Sequence, residues 1–156
     1  MVVMSYNENV KIIAFVGLAG AGKTAAVDYL TEKNIPKVTG ASSEQIDNLV
    51  SAGQHIIVED GLANWQDYKR LKEEFHHNLT VVAVIAPRHL RHHRLTIRPL
   101  SPIAEAEASA RDWQEIEEGH VAGPIAIADR YIMNDGSEEA FYEKIDDLLE
   151  ELNIHS

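Results

Sequence analysis

Residues 17–24 read Gly-Leu-Ala-Gly-Ala-Gly-Lys-Thr and match the phosphate-binding pattern G-x-x-x-x-G-K-[S/T] at every specified position. Glycines let the backbone curl so that successive N–H groups point into one concavity, where they can bind phosphate oxygens. Lys23 would neutralise the β- and γ-phosphates, and the Thr24 hydroxyl would bind Mg²⁺. The motif therefore predicts a site for a nucleoside triphosphate and Mg²⁺. The other residues predicted to bind the nucleotide are Gly17, Ala19, Gly20, Ala21 and Gly22.

The elements around this motif are those that its chemistry requires. Residues 11–16, KIIAFV, form an apolar run typical of a strand buried on both faces, and an Ala-rich helix pattern begins at Lys23. The amino terminus of that helix would add partial positive charge beside the phosphates. The alternative, a dinucleotide-binding turn, fails because the glycines are spaced G-x-x-G-x-G rather than G-x-G-x-x-G.

Apolar runs and helical patterns alternate along the rest of the chain. Further strands are predicted at 36–39, 55–58, 79–86 and 125–133, and helices at about 43–50, 64–75, 104–118 and from 137 onward. Ser42 or Ser43 and Asn64 are expected to cap the first two of these helices. This order predicts an α/β fold with a parallel sheet and helices on both faces, and a single domain over residues 1–156.

Two acidic residues, Glu59 and Asp60, follow the third predicted strand. They would lie at the carboxyl edge of the sheet, where ligands bind in this class of fold. Asp60 is therefore a candidate to hold Mg²⁺ or to accept a proton from a phosphate acceptor. The alternative is an acid that caps the next turn.

A cationic segment follows the fourth strand: residues 88–98 hold four arginines, three histidines and no acid. Arg91, Arg94 and Arg98 have the i, i+3, i+7 spacing of one helix face, and Arg111 follows a proline-containing bend. We predict a lid over Arg88–Ala104 whose arginines, chiefly Arg94 and Arg98, stabilise the charge of a transferred phosphoryl group. The alternative is a solvated helix face, which also explains the histidines better than a metal site does.

Composition excludes several classes of function. The 156 residues carry 14 basic and 25 acidic side chains, a net charge of −11, which argues against binding to nucleic acid or to an anionic membrane. The absence of cysteine excludes disulfides and thiolate zinc sites. No apolar stretch is long enough to span a membrane, and no secretory signal is evident. We therefore expect a soluble, cytoplasmic protein.

Several segments together resemble the small P-loop nucleotide kinases, specifically dephospho-CoA kinases and adenylate-kinase-like relatives. These segments are GLAGAGKT, VEDGL, LRHHRLTIR, ARDWQEIE and AIADRYIMNDGSEE, and they cover most of the chain from Lys11 onward. The resemblance implies the three-layer P-loop NTPase fold with five parallel strands and the P-loop strand at the centre. It also implies ATP as donor, a small nucleotide-like acceptor, and Asn134, Asp135 and Gly136 near the adenine base.

Two functions from different classes remain open beside a kinase. Only 35 residues separate Thr24 from Asp60, and they contain no arginine, so little chain is left to bind an acceptor. The chain could therefore bind or hydrolyse ATP without transferring phosphate to an acceptor. A third hypothesis is an interaction protein that uses its acidic C-terminal helix, although an intact Lys23-Thr24 pair makes this less favoured.

Overall fold

The computed structural model of the chain describes residues 9–154, in which five strands alternate with seven α-helices. The strands are β1 (Lys11–Val16), β2 (Lys37–Thr39), β3 (Ile56–Asp60), β4 (Leu79–Ile85) and β5 (Arg130–Met133). The helices are α1 (Lys23–Glu32), α2 (Ser43–Ser51), α3 (Trp65–Phe75), α4 (Arg88–Ile97), α5 (Glu105–Glu117), α6 (Ala122–Ala126) and α7 (Glu138–Glu151). A short 3₁₀ turn, His76–Asn78, joins α3 to β4. None of the helices within residues 9–154 is long and apolar enough to cross a membrane.

The five strands form one parallel sheet in the order β2-β3-β1-β4-β5. The predicted five-stranded parallel sheet with a central P-loop strand is therefore confirmed. β3 and β4 lie on opposite sides of β1, so the direction in which strands are added to the sheet reverses there. Such a reversal leaves a crevice at the carboxyl ends of the strands. The glycine-rich loop leaves β1 at that point.

Alternating side chains of the sheet build a core on each face. On one face, Ile13 and Phe15 of β1 pack with the buried residues of α1 and α7. On the other face, Ile12, Ala14 and Val16 pack with Ile46 of α2 and with α3. Both faces of β1 are thus apolar, which is why its sequence is an uninterrupted hydrophobic run.

Capping side chains mark the N-termini of three helices. The side chains of Ser42, Asn64 and Ser137 each accept a hydrogen bond from the backbone N–H three residues later, which caps α2, α3 and α7. The predicted strand over residues 125–133 is wrong in its first half. That half holds the last two residues of α6 and the turn after it, because Ile125 and Ala128 pack in the same core as Ile12 and α3 rather than in the sheet.

Candidate nucleotide-binding site

The glycine-rich loop turns sharply between β1 and α1. Gly20 and Gly22 have φ angles of 82° and 117°, in the region that side chains with a Cβ rarely adopt. A Cβ on Gly20 would lie 2.5 Å from the carbonyl oxygen of Arg91, so α4 closes against the loop. Gly22 stands at the start of α1, which has no side-chain cap to satisfy its first N–H groups.

Every carbonyl oxygen from Gly17 to Gly22 accepts a hydrogen bond from within the protein. Four of the donors are side chains: Lys23 donates to Gly17, Arg91 to Ala19, Arg94 to Gly20 and Asn134 to Ala21. The other two are backbone N–H groups, that of Ala21 to Leu18 and that of Ala26 to Gly22. The loop is therefore held by its carbonyls, and the uncapped N–H groups at the start of α1 are available to a ligand. This is the polarity that a phosphate-binding loop needs.

The Lys23 ammonium lies against the loop and donates to the carbonyl of Gly17. Burial lowers the pKa of Lys23, although the carboxylates of Glu115 and Asp60 act in the opposite direction. Two acids from different elements are thus close enough to influence this lysine. The structure brings Lys23 and Asp60 to one site, as the order of the strands requires.

Asp60 is the last residue of β3, half-buried at the carboxyl edge next to the P-loop strand. Thr24 is exposed in the first turn of α1. Their hydroxyl and carboxylate oxygens are hard ligands of the kind that Mg²⁺ prefers. Within residues 9–154 no group of three or more His, Cys, Asp or Glu side chains could hold a metal by itself. This donor set fits an ion that completes its coordination with water and nucleotide phosphates.

Glu59, which precedes Asp60, is fully buried. Its Oε1 accepts a 2.8 Å hydrogen bond from the N–H of Ala41, whereas its Oε2 has no partner. Burial raises the pKa of Glu59 to about 7, and the neighbouring Asp60 adds to that rise. Glu59 of β3 therefore places a carboxyl group that can hold a proton near neutral pH beside the β2–α2 loop.

The predicted arginine face of α4 does not act as one surface. Arg91 is buried and makes two hydrogen bonds to Asp112 of α5, at 2.7 and 3.0 Å, besides its bond to the P-loop. His92, expected to be solvated, is also buried and lies 2.8 Å from Asp112. Burial acts to raise the pKa of Asp112, but the bonds from Arg91 and His92 outweigh it and leave that pKa lowered. The first half of the expected lid is therefore packed against α5.

Arg94 and Asn134 also hold the glycine-rich loop. Arg94 donates to the carbonyls of Gly20, at 3.3 Å, and Asn134, at 2.6 Å. The Asn134 amide donates to Ala21 at 2.8 Å. Burial lowers the pKa of Arg94. Both side chains lie at the predicted nucleotide site, and their contacts with phosphate or base stay predictions.

The remaining predicted residues lie further out. Arg98 ends α4 and donates to the carbonyl of Ser101, 2.6 Å away, within the proline-containing bend. Gly136 is exposed in the loop before α7. Arg111 is about half exposed on α5, where its Nε lies 3.8 Å from the Glu115 carboxylate that bonds the N–H of Ala19.

Two functional candidates have no signal in the sequence. Glu115 accepts a 3.1 Å hydrogen bond from the N–H of Ala19 and thus reaches the P-loop from α5. Arg70 of α3 donates to the Ala41 carbonyl and to the Ser43 hydroxyl, which places a cation at the β2–α2 loop. That region has no arginine of its own in sequence. Both sets of contacts join residues far apart in the chain, so the spacing of residues in the sequence could not predict them.

No family model matches this sequence. Over 176 aligned positions it is 28% identical to a UPF0200 protein of Sulfurisphaera tokodaii, and the alignment covers 92% of this chain and 98% of that protein.

Solved structures show the same fold at low identity. A shikimate kinase from Bacteroides thetaiotaomicron is 16% identical with a TM-score of 0.61, covering 92% of this chain and 99% of that one. A sugar kinase from Janibacter sp. HTCC2649 is 15% identical with a TM-score of 0.55, covering 93% and 95%. These two neighbours are a shikimate kinase and a sugar kinase, and the narrower likeness to dephospho-CoA kinases stays a prediction. The chain has the fold of the P-loop kinases.

Proposed function

We propose that the protein is an ATP- and Mg²⁺-dependent phosphotransferase that acts on a small nucleotide or nucleotide-like acceptor. The observation that carries the proposal is how the hydrogen-bonding groups of the loop are used. Side chains of Arg91, Arg94 and Asn134 donate to its carbonyls, whereas the first N–H groups of α1 have no side-chain cap. Such a loop is built to receive phosphate oxygens. The kinase fold of the structural neighbours supports the same reading.

The proposed roles follow from position. The loop backbone from Gly17 to Thr24 binds the phosphates, and Lys23 neutralises their charge. Thr24 and Asp60 would hold Mg²⁺, which when bound offsets charge on the phosphates. Arg94 and Arg98 would stabilise the charge of the transferred group, with Arg94 already fixed at the loop. Asn134 and Gly136 would border the nucleotide base.

A specific observation supports the acceptor side of the proposal. The carboxyl ends of β2 and β3 carry Asp60, buried Glu59 and the guanidinium of Arg70 around one short loop. Where Asp60 does not hold Mg²⁺, it is the group that would accept the proton of an acceptor hydroxyl as the phosphoryl group is transferred. Arg70 supplies the cation for an anionic acceptor that the segment between Thr24 and Asp60 lacks.

A second candidate is an ATP-binding or ATP-hydrolysing module without an acceptor. The observation that favours it is the short stretch between α1 and β3, which holds only the three-residue strand β2 and α2. The acceptor-binding surface is correspondingly small. The two candidates differ in whether a second ligand binds beside the triphosphate.

Ligand-induced thermal stabilisation separates the candidates. We would measure Tm with Mg²⁺-ATP, Mg²⁺-GTP, nucleoside monophosphates and dephospho-CoA, singly and in pairs. A ligand at about 100 times its Kd adds about 2.7 kcal/mol of stability. Stabilisation by a triphosphate and separately by one acceptor supports the kinase, whereas stabilisation by the triphosphate alone supports the module.

Lys23→Ala tests the loop itself. We expect the variant to lose stabilisation by triphosphate and turnover, with an unchanged circular dichroism spectrum, because Lys23 contributes charge rather than core packing. Lys69→Ala, which removes an exposed lysine from α3, is the control and should behave as the wild type. Wild-type nucleotide affinity in Lys23→Ala would refute the proposal.

A further inference from the structure

A carboxylate occupies the tip of the P-loop. Oε1 of Glu115 lies 3.1 Å from the backbone nitrogen of Ala19, and its negative charge acts to raise the pKa of Lys23, which burial lowers. The same carboxylate lies 3.8 Å from the Nε of Arg111, one helical turn earlier on α5. The carboxylate is thus bonded to a backbone N–H of the loop and lies beside a guanidinium group, and its charge acts on the Lys23 ammonium.

These three groups are also suited to the oxygens of a terminal phosphate. A carboxylate and a γ-phosphate cannot share them, because two like charges at contact distance repel strongly when they are partly removed from water. A triphosphate that fills the loop must therefore move the Glu115 side chain. A diphosphate lacks the group that would compete with it.

The surroundings of Glu115 allow this movement. Its side chain is 24% exposed and that of Arg111 is 46% exposed, whereas the nearby Asp112 is fixed by Arg91 and His92. Displacement of Glu115 needs only a rotation of its side chain towards solvent. The helix that carries it is held by the Arg91–Asp112 pair and by Ala108, which packs with Ala19 and Leu95.

We propose that Glu115 occupies the position of the terminal phosphate and that a nucleoside triphosphate displaces it, so that the Ala19 N–H and Arg111 bind the γ-phosphate instead. The inference rests on the proposed function and adds a determinant of specificity. Glu115 lowers affinity for the triphosphate relative to the diphosphate. It also withholds Arg111 until a γ-phosphate arrives.

The test compares affinities for two Mg²⁺-bound ligands, a non-hydrolysable ATP analogue and ADP, by isothermal titration calorimetry. Glu115→Gln removes the charge but keeps the shape and an oxygen for Ala19. We expect it to bind the triphosphate about 10-fold more tightly and ADP within twofold of the wild type. The control is Glu117→Gln, which removes the same charge from an exposed residue two positions away and should alter neither affinity.

Three results would overturn the inference: no gain for the triphosphate in Glu115→Gln, an equal gain for ADP, or an equal gain in Glu117→Gln. The wild type offers a test without substitution. Its Ala19 amide resonance should shift on addition of the triphosphate analogue much more than on addition of ADP, and equal shifts would contradict the exchange of partners.

Failure of the proposed function looks different. If the wild type binds no nucleotide and Lys23→Ala changes nothing, the phosphate-binding site itself is refuted. If the wild type binds the triphosphate and Lys23→Ala abolishes binding, the site stands. An unchanged Glu115→Gln variant then refutes only the role of Glu115.

Discussion

Replacing Asp112 with asparagine should destabilise the protein far more than removing an exposed ion pair. Asp112 accepts bonds of 2.7 and 3.0 Å from Arg91 and lies 2.8 Å from His92, and the side chains of all three are at most 10% exposed. The substitution leaves the Arg91 guanidinium buried without a counter-charge, which costs about 3–5 kcal/mol. In a chain of this size each kcal/mol lowers Tm by about 2–4 °C, so we expect a decrease of roughly 6–20 °C.

The assay is urea unfolding followed by circular dichroism, together with a Tm measurement. The control is Glu151→Gln, which removes an ion pair of 2.8 Å with Arg130 in which both side chains are about half exposed. Such exposed pairs contribute at most about 1 kcal/mol. Because Arg91 also donates to Ala19, Asp112→Asn should weaken triphosphate binding as well. A destabilisation no larger than that of Glu151→Gln would refute the reasoning.

Two further predictions concern pH and backbone strain. Burial raises the pKa of Glu59 from its ordinary 4.5 to about 7. As pH rises between these values only the unfolded state releases the proton, so wild-type stability falls by about 3 kcal/mol. Glu59→Gln should abolish this fall in urea unfolding measured at pH 5 and pH 8, and an equal fall in the variant would contradict it. Gly20→Ala should cost at least about 1–2 kcal/mol and abolish nucleotide binding, because its φ is 82° and the new Cβ would meet Arg91. Gly136→Ala, whose Cβ would have no neighbour closer than 3.9 Å, should stay within about 0.5 kcal/mol of wild type in the same unfolding assay; equal losses in the two glycine variants would show that strain is not the cause.

Features that arise from local chemistry could be predicted from the sequence. The phosphate-binding pattern, the apolar strands and the caps at Ser42 and Asn64 each depend on residues within a few positions of one another. The parallel sheet follows from the alternation of these elements. The prediction of a strand from the apolar run at residues 125–128 was wrong, because an apolar run does not show which surface it will pack against.

The roles of the α4 arginines could not be predicted in the same way. Their spacing shows that Arg91, Arg94 and Arg98 share a face, but not what that face meets. The partner of Arg91 is Asp112, 21 positions later, on a helix whose sequence reads as an ordinary exposed one. Burial of this pair therefore depends on how α4 and α5 pack, which local sequence does not encode.

The braces of the P-loop come from late in the chain. The donors to Ala19, Gly20 and Ala21 lie 72, 74 and 113 positions after the groups they hold, on α4 and on the segment after β5. An N-terminal portion emerging from the ribosome therefore carries the complete glycine motif with none of these supports. The proposed nucleotide-binding loop would therefore gain its full support late in synthesis, once residue 134 has emerged and β5 has joined the sheet.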